Sequence, residues 1–113
     1  MTLTTTTDAT FREDVLASSL PVLVDFTANW CPPCRAIAPV LDLIATDEVG
    51  RMKVVSLDVD ENPKTALAYG VLSMPTLALF VDGVVVSQRV GARSRPQIMR
   101  ELEPHLGAQI ASR

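Results

Sequence analysis

The hydrophobic pattern of the chain changes its period near residue 30, and this change constrains the fold most strongly. Pro21 opens an apolar, β-branched run that ends at Thr27, which is typical of a strand buried on both faces. The segment from Cys31 to about Glu48 instead has apolar residues at helical spacing, namely Ile37, Val40, Leu41 and Ile44. Strands that alternate with helices pack in parallel, so the sequence predicts an α/β fold.

Further segments of the sequence have strand character. Residues 52–58 form one run, and two more runs, 76–81 and 84–90, flank Asp82-Gly83, which is a strong hairpin signal. The threonine-rich start, residues 2–6, is interpreted either as a weak edge strand or as a frayed tail. Because a hairpin adds antiparallel strands, we expect one mixed sheet with helices on both faces.

Capping residues predict where the other helices begin. Asp8 is expected to cap a first helix that contains Phe11 and Val15. Asn62 is expected to cap a short helix that ends at Gly70. Ser94 and Gln97 have the spacing of a capping box for a last helix.

Two prolines fall inside predicted helices. A proline in a helix interior removes one backbone hydrogen bond and crowds the preceding turn. We therefore expect a kink at Pro39, and we expect Pro104 to bend or break the last helix near its end.

Length and composition limit the class of protein. The chain has 113 residues, of which 48% are hydrophobic and 20% charged, so a single domain over residues 1–113 is expected. The formal net charge of −3 argues against nucleic acid as a partner. The sequence contains no run of 18 apolar residues, so no membrane-spanning helix is predicted. The N-terminus lacks the pattern of a secretory signal, so a cytoplasmic location is expected.

The two cysteines of the chain, Cys31 and Cys34, lie where the buried strand gives way to the helix. Unpaired amides and the helix dipole favour a thiolate there, so Cys31 is expected to have a lowered pKa and to act as the nucleophile. Cys34 lies one turn later, is expected to be more enclosed, and could resolve a mixed disulfide. A disulfide across so small a loop would stabilise the fold by only about 2 kcal/mol, which favours a redox role over a structural one.

Metal and haem sites explain the cysteine pair less well. A structural zinc needs four ligands, whereas the chain has two cysteines and a single histidine, His105, which is interpreted as a surface residue. Covalent haem needs a histidine where Arg35 stands, and iron–sulfur clusters need more thiolates. A zinc shared between two chains and an incidental cysteine pair remain as alternatives.

Asp25 interrupts the otherwise apolar strand before the cysteines. A carboxylate buried without a cation has a raised pKa, and such a group could exchange a proton with Cys34. The alternative is a strand-end aspartate satisfied by water or by the backbone.

These residues resemble the thioredoxin family from about Leu3 to Leu106. The resemblance rests on the motif Trp30-Cys31-Pro32-Pro33-Cys34 and on matching segments elsewhere in the chain. Those segments are Val24-Asp25-Phe26, Asp60-Glu61-Asn62-Pro63, Tyr69-Gly70-Val71, Met74-Pro75-Thr76, Asp82-Gly83 and Val90-Gly91-Ala92. The resemblance implies a thioredoxin-like α/β fold, with a central five-stranded mixed β-sheet flanked by four helices.

The resemblance also implies the roles of the site residues. Cys31, Cys34 and Asp25 would be catalytic, with Asp25 handling the proton of Cys34. It implies a cis bond between Met74 and Pro75 that faces the disulfide, where the Met74 backbone could pair with an extended substrate segment. The implied substrate-binding rim consists of Trp30, Pro32, Pro33, Val59, Met74, Pro75, Val90, Gly91 and Ala92. Taken singly, Val59 and Val90 fit core positions better.

The implied function is general reduction of protein disulfides by dithiol–disulfide exchange. A family member binds no cofactor itself and receives electrons from NADPH through a flavin-containing thioredoxin reductase. That reductase and disulfide-containing protein substrates are therefore the expected partners, and the chain is expected to be a monomer. The sequence has no Gly-x-Gly-x-x-Gly dinucleotide fingerprint, which agrees with this dependence on a reductase.

Four positions depart from the family's usual residues. Pro32 stands in place of a glycine, Thr27 in place of a tryptophan, Ser56 in place of a lysine and Ser73 in place of a glycine. Pro32 leaves the redox potential open, so an oxidase or isomerase-like relative remains an alternative function. A non-catalytic binding subunit with the same fold is the other alternative.

Overall fold

The computed structural model describes residues 3–111, with side chains to residue 106. Three strands alternate with helices before the final two-stranded hairpin, as the sequence predicts. The strands are β1 (Thr4–Thr5), β2 (Val22–Thr27), β3 (Lys53–Asp58), β4 (Thr76–Val81) and β5 (Val84–Val90). The helices are an N-terminal π-helical turn (Arg12–Leu16), α1 (Pro32–Asp47), α2 (Pro63–Ala68) and α3 (Arg95–Ala111).

The strands form one mixed sheet in the order β1-β3-β2-β4-β5. Strands β1, β3 and β2 are parallel, whereas β4 is antiparallel to both β2 and β5. The β4–β5 hairpin turns at Asp82 and Gly83, which both have positive φ, as the Asp-Gly pair predicts. The expected five-stranded mixed sheet with four helices is therefore confirmed.

Two apolar clusters cover the two faces of the sheet. Helices α1 and α3 pack on one face, where Leu23 of β2 points. The π-helical turn and α2 pack on the other face, against Val22, Val24 and Phe26. Successive strand residues point to opposite faces, so the buried β2 is apolar on both sides, as its composition predicts. Asp25 has the same parity as Leu23 and therefore points toward α1.

The predicted cap of the first helix is wrong. Asp8 does not cap the segment that follows it; its carboxylate accepts hydrogen bonds from the backbone amides of Lys64 and Thr65, at 3.2 and 2.9 Å, at the start of α2. The predicted cap of α2, Asn62, makes no side-chain capping bond there and instead accepts from the Asp8 amide at 2.9 Å. Asp8 thus takes over the capping of α2 that was expected of Asn62, because folding brings the two residues together from distant parts of the sequence.

The other predicted helix boundaries hold, except at Pro104. The capping box is confirmed, since the Gln97 amide donates to Ser94 Oγ and the Ser94 amide donates to Gln97 Oε1. Pro39 lies inside α1, and the structure leaves its expected kink untested. Of the two outcomes expected at Pro104, a break does not occur, since α3 continues to Ala111 and its apolar face stays packed on the sheet through Leu106, whereas a bend is left untested.

Residue 2 of the threonine-rich start lies outside the described residues, but Thr4 and Thr5 pair with Val55 and Ser56 as a short edge strand. Across the part of the chain that the structure describes, no helix is both long and apolar enough to cross a membrane. The sheet order makes β2 an inner strand, and the cysteines follow directly from its carboxyl end.

Candidate active site

Cys31 and Cys34 form a disulfide across the first turn of α1, with their Cα atoms 5.3 Å apart. Cys31 is the N-cap of the helix and has an extended backbone, and its sulfur accepts a hydrogen bond from the Cys34 amide at 3.3 Å. The amide-to-sulfur bond makes the Cys31 side chain the cap of α1. A sulfur in this position faces the positive end of the helix dipole, which stabilises a thiolate once the pair is reduced.

Both cysteines are buried to the same extent, with 2% of Cys31 and 3% of Cys34 exposed. The expectation that Cys34 is the more enclosed of the two is therefore wrong for the disulfide form. Ala28 packs against the pair, and the half-buried Val59 and Met74 cover it further. A substrate sulfur must therefore approach the disulfide past these apolar side chains.

Pro32 and Pro33 occupy the first two helical positions and are exposed. Neither residue has a backbone N–H, so the helix terminus offers two fewer donors than usual. The Cys34 amide is then the first N–H of the helix that can reach the Cys31 sulfur, which makes it the principal hydrogen-bond donor to a thiolate there.

Asp25 lies directly across the strand pair from Ser56 and is 3% exposed. Among the described residues, no donor reaches its Oδ1 oxygen. Burial without a compensating cation raises the pKa of the Asp25 carboxyl from 3.8 to about 7. A carboxyl group that titrates near neutral pH can both accept and return a proton under physiological conditions.

Asp25 and Cys34 line the same cavity of about 290 Å³. Ser56 and Ala38 form further parts of its wall, and Asp42, two turns beyond Cys34 on the same face of α1, lines it as well. A cavity of this size has room for several waters, since one water needs roughly 30 Å³, and the Asp25, Asp42 and Ser56 side chains can bind them. The cavity therefore offers a proton route between Asp25, Cys34 and solvent. Asp42 is not among the residues predicted for the site, although its spacing of four residues from Ala38 and eight from Cys34 places it on the same helix face.

A second segment approaches the disulfide from the start of β4. The Met74–Pro75 bond is cis, as the family resemblance implies. The Met74 carbonyl oxygen lies 3.6 Å from Cys31 Sγ, and the Gly91 amide donates to the Pro75 carbonyl at 2.8 Å. Gly91 has φ 103°, a conformation that favours glycine. The segments around residues 31, 75 and 91 thus meet at one surface.

Trp30 lies beside the disulfide with 63% of its surface exposed, and its Nε1 donates to Asp60 Oδ2 at 2.8 Å. Asp58 Oδ1 in turn accepts from the amides of Asp60 and Glu61, which fixes the loop that presents Asp60. Asp60 is not among the residues predicted for the site, because its contact with Trp30 joins residues 30 positions apart and has no local sequence signal.

The remaining rim residues differ widely in exposure. Pro75 is buried, Gly91 is half-buried, and Ala92 is exposed. Val90 is exposed, so its interpretation as a core residue is wrong, whereas the half-buried Val59 packs against the cysteines. His105, expected at the surface, is half-buried. Within the described residues, no three His, Cys, Asp or Glu side chains are grouped to hold a metal ion.

Comparison with known proteins gives a consistent result. A family model described as Thioredoxin matches residues 2–104. A thioredoxin of Mycobacterium tuberculosis is 53% identical over 96 residues, which cover 85% of this chain and 83% of the relative. Thioredoxin 1 of Synechococcus elongatus is 51% identical over 100 residues, with 88% and 94% covered, and a thioredoxin of Pseudomonas aeruginosa is 50% identical over 100 residues, with 88% and 93% covered.

Proposed function

This chain belongs to the thioredoxin family and is a thiol–disulfide oxidoreductase, and from that premise we propose that it acts as a general reductase of protein disulfides. The observation that carries the proposal is the position of the cysteine pair. Cys31 caps a helix and can exist as a thiolate, while Cys34 shares a cavity with a carboxyl group whose pKa is about 7.

In the first step, the Cys31 thiolate attacks one sulfur of a substrate disulfide. The Cys31 sulfur bonds to that sulfur, and the other substrate sulfur leaves as a thiolate that takes a proton from water. The Cys34 amide, 3.3 Å from Cys31 Sγ, supports the role of Cys31 as nucleophile, because it stabilises negative charge on that sulfur before the attack.

In the second step, Cys34 resolves the mixed disulfide. The Cys34 thiol gives its proton to the Asp25 carboxylate, and its sulfur bonds to the Cys31 sulfur as the second substrate sulfur leaves as a thiolate. Two electrons have then passed to the substrate, and the protein holds the Cys31–Cys34 disulfide. The cavity shared by Asp25 and Cys34 supports this proton transfer, because it has room for water that bridges the two groups.

The substrate would dock on the rim around the disulfide. Trp30 and Val90 expose large apolar surfaces there, and the Met74 backbone lies within reach of Cys31. Apolar contacts and backbone pairing depend little on the sequence of the substrate, which suits a protein that reduces many disulfides.

Re-reduction would come from a flavin-containing thioredoxin reductase that takes electrons from NADPH, since the family implies no bound cofactor in the chain itself. We place the reaction in the cytoplasm, where the glutathione and thioredoxin pools keep thiols reduced. The chain would act as a monomer, because each copy holds both cysteines and Asp25.

The test is NADPH consumption in a mixture of the protein, a bacterial thioredoxin reductase and a disulfide-containing protein substrate. Wild type should sustain consumption, while Cys31→Ser and the variant with both cysteines replaced by serine should not. A binding subunit would retain partner binding in the double variant and would give no consumption in wild type. An oxidase-like relative would oxidise a reduced substrate faster than it reduces the disulfide form.

A further inference from the structure

Leu72 is the most exposed of the large apolar side chains in the described structure, with 89% of its surface accessible. Exposure alone carries little weight, because single apolar residues are common at protein surfaces and Leu67 is 81% exposed. The difference between these two leucines lies in what surrounds them.

Leu72 lies in the segment that contacts the disulfide. It precedes Met74, whose carbonyl oxygen is 3.6 Å from Cys31 Sγ, by only two residues. Two residues of extended chain span at most about 7 Å, so the backbone of Leu72 lies within about that distance of Met74, whose carbonyl oxygen faces the reacting sulfur. Leu67 belongs to α2 and is separated from this segment by the turn at Gly70.

The backbone on both sides of Leu72 is fixed. The Val71 amide donates to the Ala66 carbonyl at 2.9 Å, and the Ser73 carbonyl accepts from the Thr76 hydroxyl at 2.5 Å. The leucine is therefore presented by an ordered turn, and a partner that covers it does not have to immobilise the backbone first.

The segment that contains Leu72 carries no charged side chain. No Asp, Glu, Lys or Arg occurs between Lys64 and Asp82 in the sequence. Asp60, by contrast, lies next to Trp30, whose Nε1 donates to its carboxylate. The Leu72 segment thus offers a substrate apolar contacts, whereas the loop at Trp30 offers a charged one.

We propose that Leu72 is a specificity-determining residue, which favours substrates with an apolar side chain close to one side of the reactive cysteine. This inference rests on the proposed function. The occupant is an extended disulfide-bearing segment of a substrate protein, because the leucine belongs to the same chain segment as the Met74 carbonyl, which lies 3.6 Å from Cys31 Sγ. The burial of one leucine side chain changes a binding constant by about a factor of ten or more, so the preference is measurable.

The test uses the full chain, reduced with dithiothreitol and freed of it, so that no reductase is involved. Each probe consists of two peptide arms joined by one disulfide, with a fluorophore on one arm and a quencher on the other. Leucine or glutamine is placed at two positions before and two positions after the cysteine. Wild type should react about three- to tenfold faster with probes that carry leucine on one side of the cysteine only. This rate ratio is smaller than full burial of a leucine side chain would give, because a substrate side chain is only partly covered. Leu72→Gln should abolish this preference, whereas the matched control Leu67→Gln should retain it.

Two further measurements separate specificity from damage. The rate at which iodoacetamide alkylates Cys31 and the thermal midpoint should be the same in all three proteins, because both leucines are exposed. Equal preferences in wild type and Leu72→Gln, or equal losses in both leucine variants, would overturn the inference while leaving disulfide reduction intact. Failure of wild type to reduce any probe would instead contradict the proposed function.

Discussion

The Asp60 carboxylate holds the Trp30 indole through a hydrogen bond of 2.8 Å from Nε1 to Oδ2. The bond joins the residue before Cys31 to the loop that follows β3, and the Asp58 carboxylate orders that loop through two backbone amides. Trp30 is largely exposed, so this bond and not burial sets the orientation of the ring beside the disulfide.

Trp30 fluorescence is expected to change when the disulfide is reduced. Trp30 is the only tryptophan of the chain and adjoins Cys31, so the loss of a neighbouring disulfide alters its surroundings without unfolding. The measurement is an emission spectrum before and after reduction, with thiol counting to establish complete conversion and far-UV circular dichroism as the control. A spectrum that reduction leaves unaltered would place the indole away from the disulfide.

Cys34→Ser is expected to accumulate mixed disulfides with substrate proteins through Cys31, because it can attack but cannot resolve. The matched variant Cys31→Ser lacks the nucleophile at the helix N-cap and should trap none. Non-reducing gel electrophoresis after incubation with a disulfide-containing protein measures both. Equal trapping by the two variants would contradict the assignment of nucleophile and resolver.

Asp25→Asn is expected to stabilise the fold at neutral pH and to slow the resolving step. The pKa of Asp25 rises from 3.8 to about 7 on folding, so folding favours the protonated form. The associated stability is fully present below pH 4 and is lost as the pH rises from about 4 to 7. At pH 8 the variant should therefore exceed wild type by roughly 2–4 kcal/mol in the free energy of unfolding.

Urea unfolding at pH 4 and pH 8 tests this difference, which should be small at the lower pH. The rate of mixed-disulfide resolution should lose its inflection near pH 7 in the variant. Asp42→Asn is the matched control, since it neutralises a second carboxylate that lines the same cavity but is half-buried. A variant Asp25→Asn that is less stable, with resolution unimpaired, would remove the proton role.

Asp8→Ala is expected to destabilise the protein by roughly 1–2 kcal/mol, the usual range for loss of a helix cap. Desolvation by burial acts to raise the pKa of Asp8, but hydrogen bonds from Thr65 and Lys64 outweigh it and lower the pKa below 3.8. The cap is therefore strongest above about pH 4 and weakens as the pH falls below it. Thermal unfolding at several pH values should show this loss, and Asp8→Asn, which keeps an acceptor, should lose less.

Pro32→Gly is expected to lower the pKa of the Cys31 thiol by a fraction of a unit. The glycine restores one amide at the positive helix end, and charge effects at a helix terminus amount to about 0.3–1 kcal/mol, against about 1.4 kcal/mol per pKa unit. Thiolate absorbance of the reduced protein measures the shift. Pro39→Ala, in the same helix but away from its terminus, should leave the pKa unchanged; a rise in Pro32→Gly would mean that loop rigidity dominates.

Local signals in the sequence predict much of this fold. The bounds of β2, β4 and β5 and the Ser94–Gln97 capping box follow from the periodicity and the capping chemistry of neighbouring residues. The capping of α2 by Asp8 and the bond from the Asp8 amide to Asn62 could not be predicted, because both contacts join residues more than fifty positions apart. Pro104 stays within α3 because tertiary packing outweighs one lost hydrogen bond.

The candidate site also combines features that the sequence predicts with features that it does not. The position of Cys31 at a helix start and the burial of Asp25 follow from the strand and helix patterns. The equal burial of the two cysteines, the exposure of Val90 and the Trp30–Asp60 bond arise where separate loops meet. In the sequence Leu72 does not differ from other apolar residues, and only the structure shows that its segment lies beside the disulfide.

The sulfur of Cys31 caps α1 at 3.3 Å from the Cys34 amide while the two cysteines are joined. When the pair is reduced, the covalent link across the first turn is lost, but a thiolate is a stronger acceptor for that same amide. The turn is thus held by a bond in one redox state and by a charge in the other. A partner that recognises only the shape of this face therefore binds both forms, and the relative stability of the two competing disulfides decides the direction of electron transfer.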